Sequence, residues 1–119
     1  MPPDAPILYL EDEIIIALDT AQTLREMGFA RVAVCHNLRK ARRLAEAGSF
    51  RHALLDVNLG DGETSFAFGR ELMARGVAVV FASGYNRAEM EADHPDLVFV
   101  EKPLGAEAIA AAFDRAGSG

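Results

Sequence analysis

The stretch "ALLDVNLGDGE", residues 53–63, places a carboxylate, Asp56, at the end of a short apolar run and follows it at once with a Gly-rich turn. A charge at the point where a buried strand enters a tight loop has two readings. Asp56 either caps the loop or stands at the rim of a sheet, presented to bind or react. The sequence on either side decides between them.

Similar apolar runs recur along the chain. "ILYL" (7–10), "RVAVC" (31–35), "HALLDV" (52–57), "VAVVFA" (77–82) and "LVFVE" (97–101) read as strands. Between them the spacing turns helical. Ile14, Ala17, Leu18, Ala21 and Leu24 form one inward stripe, with Gly28 as the stop. Asn37 caps a second helix with Leu38, Ala41, Leu44 and Ala45 inward, ending near Gly48. Thr64 or Ser65 caps a third with Phe66, Gly69, Leu72 and Met73 inward. Residues 105–116 form a last helix with Ala106, Ile109, Ala110 and Phe113 on one face. Near-continuous apolar strands are covered on both faces. Strand and helix alternate five times, which predicts a doubly wound, flavodoxin-like α/β domain with a five-stranded parallel sheet. A chain of 119 residues fits one domain, with residues 1–5 and 117–119 expected to be disordered. The connection from Ser83 to Asp96 is short for a parallel crossover. "NRAEMEADHPD" has room for about two helical turns before the His94-Pro95 break, so the fourth helix is expected to be stunted or irregular.

Composition excludes several functions. A net charge of −6 argues against binding a phosphate backbone, which needs clustered Lys and Arg. No apolar run is long enough to span a membrane, and "MPPDAP" lacks the regions of a signal peptide. The single cysteine, Cys35, reads as a small buried strand residue. His36, His52 and His94 share no metal-ligand spacing and read as structural or surface residues. No Gly-rich phosphate loop follows the first strand. These features predict a soluble cytoplasmic protein with neither nucleic acid nor membrane as partner.

The charges fall at the strand ends. Glu11, Asp12 and Glu13 follow the first strand, and Asp56 closes the third. Ser83 follows the fourth, and Lys102-Pro103 the fifth. In an open α/β sheet, ligands bind beyond the carboxyl ends of the strands. If the strand order is 2-1-3-4-5, the acids after the first and third strands converge on one edge. Such a cluster is repulsive by itself, and a hard cation with oxygen ligands, Mg²⁺, relieves it. An Asp carboxylate can be a nucleophile towards phosphorus, with Lys102 and Ser83 placed to meet the phosphoryl oxygens. Glu13 reads as a first-turn charge rather than a ligand.

"ILYLEDE", "ALLDVNL", "FASGY" and "VEKP", in this order and spacing, resemble the receiver domain of bacterial response regulators over roughly residues 6–116. The resemblance implies a phosphorylation-dependent signalling switch. Asp56 would be the phosphoacceptor, and Glu11, Asp12, Asp56 and the backbone carbonyl of Asn58 the Mg²⁺ ligands. Ser83 would be the switch hydroxyl, and Lys102 would bind the phosphoryl group, its charge needed only once that group is present. Pro103 would follow a cis peptide bond, and Phe99 would match an aromatic rotamer switch on the fifth strand. The donor would be a phosphohistidine on a sensor histidine kinase or phosphotransfer protein. With no output domain read after the last helix, the signal would pass to an unknown downstream protein, or the chain would act as a phosphate shuttle or sink. "FASGY" resembles the Phe-Ala-Thr-Gly-Tyr variant of a receiver subgroup, and Tyr85 within it either lines the site or lies on the loop surface. Gly60 replaces a proline common after the phosphoacceptor loop, which implies a more mobile loop. Two rivals stand beside this reading. One is a phosphorylation-independent, receiver-like protein-binding module. The other is a Mg²⁺-dependent aspartyl-phosphate phosphatase of the haloacid dehalogenase type. Against the phosphatase, Asp56-Val57-Asn58 lacks a second acid, and the acidic pair comes first in the chain.

Overall fold

The structure, a computed structural model, describes residues 6–84 and 86–117. Tyr85 and the outermost tails, 1–5 and 118–119, lie outside the described residues; Gly117, expected with the C-terminal tail, instead closes the last helix. The elements run β1 (Pro6–Leu10), α1 (Ile14–Glu26), β2 (Arg31–Cys35), α2 (Leu38–Ala47), β3 (His52–Asp56), α3 (Phe66–Ala74), β4 (Ala78–Ser83), α4 (Arg87–Asp93), β5 (Val98–Glu101) and α5 (Ala106–Gly117). The strands form one parallel sheet in the order β2-β1-β3-β4-β5.

Side-chain alternation along each strand sorts the core into two layers. Leu8, Leu10, Ala53, Leu55, Val79, Phe81 and Phe99 pack on the face covered by α2 and α3. Ile7, Tyr9, Leu54, Val80, Ala82 and Val100 pack on the face covered by α1 and α5. At Gly69 the α3 backbone lies so close to the sheet that an added Cβ would meet the Phe81 ring at 2.3 Å. Phe68, rather than Met73, completes the buried face of α3; Met73 is 38% exposed. On α5, Ala112 joins Ile109 and Phe113 in place of the exposed Ala106.

The largest departure from the expected pattern is in α1. Ala17, Ala21 and Leu24 are buried as expected. Ile14 and Leu18, also expected inward, are 61% and 69% exposed, and Ile15 is 83% exposed. Thr20 takes the inward position instead. A triple isoleucine (14–16) supports several helical stripes, and the inward one is that of the small residues, which let the helix approach the sheet.

The short α4 has the stunted form expected. None of its residues is buried. Met90 and Leu97 anchor it, joined by an unexpected contact: the His94 ring stacks on Phe66, with centroids 4.2 Å apart. Phe66 in turn meets Phe81 and Phe99. Arg70 of α3 pairs with Asp96 just before β5. The Gly60 loop is a hydrogen-bonded turn, Glu63 N–H donating to Gly60 C=O at 2.9 Å and Leu59 N–H to Glu63 C=O at 3.0 Å. Gly60 sits at φ 88°, which the ring of a proline forbids. Its presence therefore reflects turn geometry rather than looseness.

His52 begins β3 wedged between the Phe29 and Phe113 rings, each 5.3 Å away. Its Nδ1 finds no hydrogen-bond partner among the described residues. Burial holds its pKa below the ordinary 6.5, helped by nearby positive charge including Arg51. The folded chain thus binds this proton less readily than the unfolded chain. The His52 contribution is intact above pH 6.5 and is lost as the pH falls below it. Equilibrium unfolding of His52→Phe should show the variant gaining on the wild type as the pH drops through that range; a stability difference independent of pH would contradict a neutral, half-buried ring.

A candidate phosphoacceptor site at the strand ends

The strand order places the ends of β1, β3 and β5 around one pocket. Asp56 is the last residue of β3, and the backbone pairing continues past it, Val57 N–H donating to Ala82 C=O at 3.0 Å. Glu11, one residue beyond β1, is tied to β2 through its N–H to Cys35 C=O at 3.0 Å. Lys102, one residue beyond β5, donates its backbone N–H to Ser83 C=O at 2.8 Å. Glu11, Asp56 and Lys102 continue the side-chain parity of the α1/α5 layer, so all three converge on one side of the sheet edge.

The contact geometry is tight. Lys102 Nζ lies 2.9 Å from Glu11 Oε1 and 3.1 Å from Asp56 Oδ1. Glu11 is 1% and Asp56 5% exposed. Asp12 is exposed, yet one oxygen each of Glu11, Asp12 and Asp56 lie within 4.8 Å of one another. Burial, then the Glu11 charge, push the Asp56 carboxyl up to about 7, against the pull of Lys102. Burial works against the Lys102 ammonium, but the Glu11 hydrogen bond and the Asp56 charge outweigh it and hold its pKa above the ordinary value. Lys102 is therefore engaged by both carboxylates before any phosphoryl group arrives, contrary to the reading that its charge matters only afterwards.

The other predicted residues frame this centre. Ser83 is the last residue of β4 rather than the first of the loop, and its buried hydroxyl has no hydrogen-bond partner among the described residues. Asn58 is exposed and bridges to Thr64 across the β3–α3 loop. Pro103 follows a cis peptide bond. Phe99 is fully buried against Phe81, on the opposite layer from the carboxylates and in line with Ser83. Glu13 occupies the position before α1 and donates its N–H to Glu11 Oε2 at 3.2 Å. One contributor was not foreseen: the exposed His36, whose Nδ1 is 2.8 Å from Glu11 C=O. The only available signal was its place after β2, beside Glu11 once β1 and β2 are neighbours.

Chemically, three carboxylates face one ammonium. All-oxygen donors with excess negative charge fit a hard divalent cation such as Mg²⁺ better than a softer metal. The orphaned Ser83 hydroxyl, rare for a buried polar group, suits an acceptor arriving from outside the chain.

No protein-family model matches the sequence, and no curated protein shows significant similarity to it. Solved structures do match. SdrG from Sphingomonas melonis Fr1 has 29% identity and a TM-score of 0.80, covering 98% of each chain. A response regulator from Burkholderia pseudomallei, solved with a phosphorylated aspartic acid, calcium ion and citrate, has 25% identity and a TM-score of 0.79, covering 97% of this chain and 69% of its own. A response regulator receiver protein from Sinorhizobium medicae WSM419 shares the fold at 23% identity and a TM-score of 0.79, covering 97% and 95%.

Because folding raises the Asp56 pKa, its charge weakens the metal-free fold. The unfolded acid ionises near 3.8, so this penalty grows as the pH rises from there to about 7. Asp56→Asn should be more stable than the wild type at pH 8 without Mg²⁺, by about 1–3 kcal/mol in denaturant unfolding. The gain should shrink as the pH falls towards 4. A variant less stable at pH 8 would contradict the buried-charge assignment.

This chain has the receiver fold, and its likeness to solved response regulators supports a role in two-component signalling.

Proposed function

We propose that the protein is a phosphorylation-dependent switch that accepts a phosphoryl group on Asp56 and passes the signal to partner proteins. The observation that carries this reading is the buried Glu11–Lys102–Asp56 centre, with a buried Ser83 hydroxyl at the end of the neighbouring strand β4 that has no hydrogen-bond partner among the described residues. An Asp56 carboxylate oxygen attacks the phosphorus of a phosphohistidine. The P–N bond breaks, its electron pair leaves with the imidazole, and an acyl phosphate forms on Asp56. Lys102 neutralises phosphoryl oxygens, and Ser83 donates its hydroxyl to one of them. Glu11, Asp12, Asp56 and the Asn58 carbonyl would hold a Mg²⁺ ion, which supplies charge neutralisation of the acids and of the phosphoryl oxygens. Hydrolysis of the acyl phosphate returns the free carboxylate. The chemistry is self-catalysed on its own aspartate, which sets it apart from a turnover phosphatase.

The donor partner is a sensor histidine kinase or phosphotransfer protein, and α1 is where it docks. Ile14, Ile15 and Leu18 expose an apolar face beside a groove of about 650 Å³. Ile15, Ile16, Lys102, Pro103 and Leu104 line that groove, so the apolar face runs directly into the reactive site. On the opposite layer, phosphorylation draws Ser83 inward and repacks Phe99, shifting the β4-α4-β5 surface. α4 supports this part, since none of its described residues is buried and it is held by Met90, Leu97, the flanking His94 stack and the Arg70–Asp96 pair. Among the described residues no helix is long and apolar enough to cross a membrane.

Incubation with acetyl phosphate and Mg²⁺ should add one base-labile phosphoryl group, located to Asp56 by mass spectrometry and absent from Asp56→Asn. Ile15→Asp should leave that labelling intact while slowing transfer from a phosphohistidine protein about tenfold or more. Amide exchange should fall in residues 86–104 on phosphorylation and change little in α2. Phosphate on another residue, or on none, would overturn the switch reading; labelling without any change in exchange would remove α4 as the output element.

A further inference from the structure

We propose that His36 is a positioning residue for the acidic pair: through its ring it holds the Glu11 carbonyl, and so sets where the Asp12 carboxylate stands. The inference rests on the Mg²⁺ reading of the Glu11–Asp12–Asp56 cluster.

The geometry has three parts. A carbonyl oxygen only accepts hydrogen bonds, so at 2.8 Å from Glu11 C=O the His36 Nδ1 must carry the proton. Neutral and charged imidazole both donate in this way. That carbonyl belongs to the peptide plane joining Glu11 to Asp12, so its direction fixes the Asp12 amide and the path of the chain into Asp12. Glu11 is thereby held from β2 at two points, its N–H on Cys35 C=O at 3.0 Å and its C=O on the His36 ring.

The two acids differ in how much else holds them. Glu11 is buried and bound to Lys102. Asp12 is exposed, lies between the end of β1 and the start of α1 at Ile14, and belongs to neither. The Glu13 N–H on Glu11 Oε2 is a longer bond, 3.2 Å, and lies beyond Asp12. The ring of His36 is therefore the side-chain support on the near side of Asp12. Its own position is set by the start of α2, where the adjacent Asn37 side chain accepts from Lys40 N–H at 2.8 Å. A capped helix terminus thus holds the donor against the acidic turn. Groups that orient metal ligands without touching the metal commonly alter affinity when removed.

The test is an amide-shift NMR titration of the full chain with MgCl₂, following residues 12, 13 and 58. His36→Leu should raise the Mg²⁺ dissociation constant about three- to tenfold. His36→Asn, whose side-chain amide reaches the same place with a donor, should stay within about twofold of the wild type. Both variants should keep the wild-type melting temperature without Mg²⁺. Equal affinity in wild type and His36→Leu overturns the inference while leaving the metal site standing, and so does equal loss in both variants. A wild type with no saturable shift at residues 12, 13 and 58 overturns the metal reading and the inference together.

Discussion

One ammonium group lies between two buried carboxylates, and the site depends on that contact. Lys102 bonds Glu11 at 2.9 Å and Asp56 at 3.1 Å from the far end of the sheet. Removing the Lys102 ammonium would leave two buried carboxylates uncompensated, at a cost of about 3–5 kcal/mol, whereas removing the Asp56 charge leaves Lys102 paired with Glu11. The contact is possible only because β1 and β3 are neighbours and β5 lies beyond β4, so that residues 11, 56 and 102 end on the same layer. Even so, the balance is incomplete. One positive charge faces three acids, two of them buried, and burial together with the Glu11 charge pushes the Asp56 carboxyl up to about 7.

This imbalance links stability to function. A site built for phosphoryl transfer needs charge that the resting fold would be better without. The two core layers divide the work. The α1/α5 layer carries the reactive groups, and the α2/α3 layer carries the ring cluster of Phe81, Phe99, Phe66 and the stacked His94. β4 connects them, since Ser83 is its last residue and Phe81 lies two positions earlier on the same face. A change at Asp56 therefore has a short physical route to α4, the least buried helix.

Much of this was legible in the sequence for a plain reason. Apolar runs with no polar alternation are diagnostic of a sheet covered on both faces, and carboxylates placed just after such runs mark its functional edge. The positions of Asp56, Glu11, Ser83 and Lys102 at the strand ends followed from the same apolar runs. What failed had equally physical causes. The stripe through Ile14 and Leu18 was misread because helical spacing cannot tell an inward face from an exposed one when isoleucine occupies three consecutive positions. Met73 and Phe68 exchanged roles because they lie on opposite sides of the Gly69–Leu72 stripe, and the sheet decides which side closes. His36 and His94 read as structural or surface residues, and their contacts, with Glu11 C=O for the one and with Phe66, Phe99 and Arg70 for the other, are tertiary and encoded in no local spacing.

The most direct test of the account is a ¹³C NMR titration of the Asp56 side-chain carboxyl without Mg²⁺ and then with it. The titration should fall well above the ordinary aspartate value of 3.8, and saturating Mg²⁺ should move it down. A titration near 4 that Mg²⁺ does not shift would contradict the claim that this pocket holds more negative charge than Lys102 can balance.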